Sequence, residues 1–271
     1  MKKILLPIIL FFSMIVTSCL STLQLIEYDL FPEYSSNRVP AYTNDEAISA
    51  LKDALVEGIK SASVSMSKEN AYYNNSLYKI LLPKEAQPIM KVLYAIPGGK
   101  VLAEDVVLRL NRTAETAAKD TVSIFSSAIK SMTVVDGIKI VTGNKNAATQ
   151  YLKEKCYSKL IGLYKPKIST VLNKPLVLNV SANTAWTNLV TNYNKYAAVP
   201  NSIAIIAGKE PPCPEVEVDL ATYATEKALD GLFAMIEKEE ANIRANPLEY
   251  SSKMIQKVFG YVKRGITTIS Q

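Results

Sequence analysis

Histidine is absent from all 271 residues. Its absence removes the Ser-His-Asp and Cys-His catalytic arrangements, the usual neutral-pH proton shuttle and the commonest zinc ligand. Any reaction would have to use carboxylates, lysine, tyrosine, a hydroxyl or a bound cofactor. There is no phosphate loop, nucleophile elbow, zinc signature or calcium loop, so neither a cofactor nor a metal is expected. Long runs of lysine or arginine are also missing although the net charge is +6, and without a concentrated basic stripe no nucleic-acid partner is expected. Sustained alternation of apolar and polar residues is scarce, which points away from sheet.

What is present begins at the amino end. Lys2 and Lys3 precede an apolar run from Ile4 to Val16, followed by Thr17, Ser18 and Cys19. The run is 13 residues long, whereas a helix needs about 20 to cross a bilayer, so it reads as a cleaved export signal. The end of the signal resembles the lipobox of bacterial lipoproteins. That resemblance implies a signal peptide over residues 1–18 and makes Cys19 the diacylated first residue of the mature chain, with the membrane as a partner through the acyl anchor. Leu20 stands where an aspartate is associated with inner-membrane retention, so attachment to the outer membrane, facing the periplasm, is expected.

Beyond Cys19 only Cys156 and Cys213 remain. The compartment permits a disulfide without implying one. Cys156 lies at helical spacing with Ala148, Leu152 and Leu160 and reads as a buried apolar residue, while Cys213 lies in a Pro-Cys-Pro loop. Settings so different favour two separate thiols.

Residues 19–43 read as a lipidated tether, residues 44–260 as a single all-α domain of roughly seven helices, and residues 261–271 as a tail. Thr43 or Asn44 is expected to cap the first helix, whose apolar positions recur from Ala47 to Ala62. A short helix follows Leu81-Leu82-Pro83. The longest helix is expected from Val101 to about Met132, because neither proline nor glycine interrupts it. Another helix, capped by Asn144 or Asn146, is expected to end near Tyr164, before a short segment bracketed by Pro166 and Pro175. A helix around Trp186 and Tyr193 is expected to stop before Pro200, leaving Val199–Pro214 irregular. Trp186, at helical spacing with Leu189 and Val190, reads as core. Asp219 should cap the last long helix, and Asn246-Pro247 should end it.

Candidate chemistry lies on two of these helices. Asn111 and Glu115 border the apolar arc of the 101–132 helix, with Arg112 beside them. Glu104 shares that border but lies about 16 Å from Glu115 along the axis, too far for a glycosidase-type carboxylate pair. On the last long helix Glu239 projects into the apolar face and needs a cation, for which Arg112 and Arg244 are the candidates. Asp230 flanks Gly231, where another helix could approach. Asn111, Arg112, Glu115, Asp230, Glu239 and Arg244 are therefore the candidate ligand-binding residues, and no catalytic residue is singled out.

Asn111-Arg112-Thr113-Ala114-Glu115, the stretch from Ile124 to Met132, Gly143 with Ala147-Ala148-Thr149-Gln150-Tyr151, and Ala228-Leu229-Asp230-Gly231-Leu232-Phe233 through Ile243-Arg244 to Asn246-Pro247 occur in order. Together they resemble domain-of-unknown-function family 4197, a group of exported bacterial proteins that are often lipoproteins. The resemblance implies a largely helical single domain in the cell envelope and transfers no reaction. The leading reading is a lipid-anchored domain that binds or scaffolds an envelope protein, or holds an elongated apolar ligand. The alternatives are a carboxylate–arginine hydrolase or lyase and a rigid spacer. Convergence of Asn111, Arg112, Glu115 and Asp230 on an open pocket would favour binding or catalysis, whereas a closed network would favour the spacer.

Overall fold

The computed structural model describes residues 38–95, 98–266 and 268–270. The signal, Cys19 and the tether up to Asn37 lie outside the described residues. Two units are distinguished. One contains a short antiparallel ladder of β1 (Arg38–Pro40) and β2 (Thr268–Ser270), with Val39 opposite Ile269. The other, residues 42–267, is all-α.

The helical unit is built around α1 (Asn44–Met66). Thr43 caps it: its hydroxyl accepts from the Glu46 amide, and the Glu46 carboxylate accepts in return from the Thr43 amide. This reciprocal box satisfies two amides that the first turn cannot bond internally. Leu51, Leu55, Ile59 and Met66 are buried, together with Ala47, Ala50, Ala54 and Ala62. So many small side chains let a neighbouring backbone come close. A Cβ on Gly58 would stand 3.1 Å from Ile236 Cγ2, so the helix carrying Ile236 packs tightly at that point.

That helix is α8 (Leu220–Ala245). Asp219 caps it as expected, accepting from the Thr222 amide and hydroxyl. The Lys165 ammonium at 2.7 Å, followed by these Thr222 bonds, holds the Asp219 carboxyl far below the usual range. Asn246-Pro247 ends the helix as expected. The remaining helices are α2 (Gln87–Leu93), α3 (Gly99–Ala117), α4 (Thr121–Ser131), α5 (Gly137–Val141), α6 (Ala147–Leu172), α7 (Ala182–Ile206) and α9 (Lys253–Lys263). Helices α4, α5 and α9 pack with α8 around α1; α6 packs on α8, and α7 covers α2 and α3.

Several boundaries differ from the sequence expectation. The helix expected over 101–132 is two helices, separated by a 3-10 turn at Ala118–Asp120. There the Ala118 carbonyl accepts the Thr121 amide at i+3 spacing and also the Ser63 hydroxyl at 2.8 Å, so a side chain from α1 shares the acceptor where the ladder tightens. Among the described residues the longest helices are α6 and α8, each of 26 residues. Helix α6 passes Tyr164 and Pro166 to reach Leu172. Pro166 lacks the amide that would bond the Gly162 carbonyl, but both residues are exposed, whereas Tyr164 and Ile168 on the opposite side are fully buried. The outer face is open to solvent, while packing holds the inner one. Helix α7 likewise passes Pro200 and ends at Ile206. Asn146 occupies the cap position of α6 without a capping hydrogen bond from its side chain. Cys156 is buried and Cys213 half-buried, and both are free thiols. Trp186 is half-buried rather than core.

Candidate functional site

The polar residues singled out on α3 converge on one stretch of their own chain. Glu115, only 3% exposed, accepts through Oε1 from the amides of Tyr72 at 3.1 Å and Tyr73 at 3.3 Å. Its Oε2 accepts from Arg112 Nη1 at 2.6 Å. Arg112 Nη2 then reaches Glu69 Oε1 and Asn70 Oδ1, both at 2.9 Å. Asn70 holds a left-handed φ of +66°, a conformation that asparagine tolerates better than most residues. One turn earlier, Asn111 is fully buried and grips Ile80 at both ends of its peptide groups. Oδ1 accepts from the Ile80 amide at 2.9 Å, and Nδ2 donates to the Ile80 carbonyl at 2.8 Å and to Val107 O at 2.7 Å. Asn111 and Glu115 thus satisfy backbone groups that the irregular 69–80 segment leaves unbonded internally, and Arg112 ties Glu115 to the side chains of Glu69 and Asn70.

Tyr72, in the middle of that segment, explains Gly231. The tyrosine is fully buried, and its hydroxyl donates to the Ala228 carbonyl at 2.7 Å. A Cβ on Gly231 would stand 2.5 Å from Tyr72 Cε1, so α8 admits the ring only where a side chain is missing. Burial drives the Tyr72 hydroxyl pKa well above its ordinary value, with smaller upward contributions from Tyr164, Glu115 and Asp230. The stretch around Ala228 and Gly231 is therefore a seat for Tyr72.

The second cluster corrects the expected charge pairing on α8. Glu239 is half-buried and accepts from hydroxyls, Tyr250 at 2.8 Å and Ser61 at 3.1 Å; neither Arg112 nor Arg244 pairs with it. Burial first, and the adjacent Glu239 carboxylate second, raise the Tyr250 pKa far above the ordinary phenol value. The buried carboxylate is its neighbour Glu240, 2% exposed. Glu240 accepts from the amides of Ala148 and Thr149 at 2.9 and 2.8 Å and from the Thr149 hydroxyl at 2.7 Å. These amides open α6, where the free N–H groups and the helix dipole both favour a negative charge. Arg244 completes the cluster, donating to Glu240 Oε1 and to the carbonyls of Ile140 and Val141, which end α5. Its guanidinium also lies 5.2 Å from the Phe259 ring centroid. One ion pair thus ties the start of α6 and the end of α5 to α8.

Arg109 is a third internal tie, one that is not among the candidate residues. It is 5% exposed and bonds Asp105 at 2.8 Å and the carbonyls of Val177 and Val180. Those carbonyls bracket a turn in which Leu178 and Asn179 have φ of +45° and +56°. No local spacing signals this partner, which lies 68 residues along the chain. Glu240 was missed although it falls four residues after Ile236 and three before Ile243, both fully buried, because Glu239 fits the same helical spacing.

Asp230 alone among the candidates stands at an open surface. It lies 3.6 Å from both Lys153 and Lys227 on the rim of a groove of about 600 Å³. Leu77, Leu81, Lys84, Tyr223 and Glu226 also line this groove, and the Tyr223 hydroxyl donates across it to the Leu81 carbonyl at 2.8 Å. Burial, with Glu85 nearby, pushes the Tyr223 pKa up to about 12. The structure therefore separates Asp230 from Asn111, Arg112 and Glu115 rather than gathering the four around one pocket.

No curated protein and no solved structure matches this chain. Residues 41–260 match the family model described as Protein of unknown function (DUF4197), nearly the whole helical unit and every internal tie described above, and the chain belongs to that family.

Proposed function

We propose that the protein is a lipid-anchored scaffold of the bacterial cell envelope, which acts by docking through its surface and not by catalysis. The observation that carries the non-catalytic part of this reading is the saturation of its internal charges, a closed network that favours a rigid body over a polar binding centre between the helices and leaves docking to the groove at Asp230. Both Glu115 oxygens, both Glu240 oxygens and the guanidinium groups of Arg112 and Arg244 are bonded within the chain. A carboxylate–arginine reaction centre would need such a pair open to substrate. Here each pair is closed on backbone, where it fixes an irregular segment or a helix end. The signal, with Cys19 at its end, supports envelope attachment, and an anchor that raises local concentration at one membrane suits a docking role. The groove with Asp230 on its rim is the concave surface this scaffold offers to an envelope protein or an elongated apolar ligand.

Labelled palmitate tests the anchor: it is incorporated into the native chain and not into Cys19→Ala. Tyr223→Ala, together with Asp230→Ala, tests docking, because these residues line the groove while the clamps remain intact. Capture of an envelope partner by the native chain and its loss in this variant supports the reading. Palmitate-free native protein, or turnover of an ester or glycoside that Arg112→Ala abolishes without lowering the melting temperature, contradicts it.

A further inference from the structure

We propose that the end of α7 is a second membrane contact, an apolar wedge that enters the lipid interface in addition to the acyl anchor. The last buried residue of α7 is Ala197, and no residue from Ala198 to Ile206 is buried. Those residues extend about 13 Å beyond the packed part of the helix. Val199 is 66% exposed, Ile203 62%, Ile205 63% and Ile206 87%.

The overhang is built rather than frayed. Asn201 bonds both the amide and the carbonyl of Cys213, at 3.0 and 2.8 Å, and the Tyr193 hydroxyl donates to Pro214 O at 2.7 Å. These bonds pin the returning chain along the helix, so the apolar end is held out as the tip of a hairpin. Gly208, with φ of +68°, makes the turn, in a conformation that favours glycine.

The distribution of side chains selects lipid as the occupant. At 100° per residue, Tyr196, Val199, Ile203 and Ile206 form one stripe, while Ala198 and Ile205 face the opposite side. A protein partner lying along the helix would be met by a single stripe. A helix end apolar on opposite sides suits a medium that surrounds it. Between Lys195 and Lys209 there is no charged residue, and the two ammonium groups bracket the uncharged stretch where lipid phosphates would lie. Tyr196 stands beside Lys195 at the inner boundary, the level at which amphipathic rings are favoured. Glu210, Glu215 and Glu217 follow on the returning limb and limit entry to the tip. No described helix is long and apolar enough to cross a membrane, so the wedge enters one leaflet only. This inference rests on the envelope attachment proposed above, which brings the domain to a bilayer.

The test uses the full processed chain in phosphatidylethanolamine–phosphatidylglycerol vesicles containing a phospholipid with a photoactivatable acyl chain. Trypsin releases residues 196–209 as one peptide and residues 19–38 as the amino-terminal peptide, because Lys209 and Arg38 at their ends are the first basic residues in each. Lipid adducts are expected on the 196–209 peptide. Replacing Ile203→Asp and Ile206→Asp together should reduce them about tenfold without altering the melting transition, since neither side chain is buried. Adducts absent from that peptide, unchanged in the double variant, or replaced by cross-links to the tether, a second copy or another protein overturn the proposal. An unacylated 19–38 peptide accompanied by adducts on the tip refutes the anchor while supporting the wedge.

Discussion

Replacing Glu240 with alanine probes the most heavily bonded charge in the helical unit. The substitution removes a 2% exposed carboxylate that accepts two α6 amides, one hydroxyl and two guanidinium nitrogens. It leaves the Arg244 side chain, itself 12% exposed, without its counter-charge. Breaking a buried pair by deleting one member costs about 3–5 kcal/mol, and Arg244 keeps carbonyl partners on α5, so the lower half of that range is expected. For a domain of this size each kcal/mol shifts the melting temperature by about 2–4 °C, so Glu240→Ala should lower it by about 6–16 °C. Circular dichroism melting measures the loss. Hydrogen exchange should accelerate first at the amides of residues 148 and 149. Adding Arg244→Ala should cost less than its effect alone, because the charge it removes is already stranded. A loss below about 1 kcal/mol, typical of an exposed ion pair, would refute the assignment of Glu240 as a buried clamp.

Other outcomes follow from the same packing. Gly231→Ala gains about 1 kcal/mol of helix propensity yet should destabilise, because its Cβ meets Tyr72 at 2.5 Å and the ring is tethered to Ala228; denaturant unfolding gives the sign. Arg109→Ala should release the 177–180 turn, read as faster hydrogen exchange of the Val180 amide, which bonds the Val177 carbonyl at 2.9 Å, with α1 still protected. At high pH the fold should weaken through its tyrosines. Tyr157 and Tyr223 are pushed up to about 12, chiefly by burial, so folding favours their neutral form. Their contribution is full below about pH 10 and declines as pH rises towards 12; unfolding should coincide with tyrosinate absorbance, and a transition unchanged across that window would contradict the burial.

The all-α class and the caps at Thr43 and Asp219 were legible because they depend on local chemistry: hydroxyl or carboxylate before a helical apolar period. The prolines misled for a tertiary reason. Pro166 and Pro200 each remove one hydrogen bond from an outer helix face, and a backbone rule cannot register Tyr164 and Ile168 buried on the inner face of α6, or Asn201 tying α7 to residue 213. The break at Ala118 depends on Ser63, 55 residues earlier, and has no local signature. At the candidate residues, sequence identified side chains that require partners. It did not reveal that Asn111 and Glu115 bond backbone groups of the 69–80 segment, or that Arg112 bonds the Glu69 and Asn70 side chains at its start. An irregular segment has no periodicity from which its contacts follow, so Arg109 and its turn were also missed.

Native-state hydrogen exchange on the ligand-free protein tests most directly whether the charged motif residues hold the chain itself. The amides of Tyr72, Tyr73 and Ile80 lie outside the α-helices and bond only Glu115 or Asn111 side chains. They should exchange as slowly as neighbouring helical amides, and Glu115→Ala should release Tyr72 and Tyr73 while leaving Ile80 protected. Rapid exchange at all three in the native chain, with protection appearing only when a ligand is added, would show that these side chains await a partner.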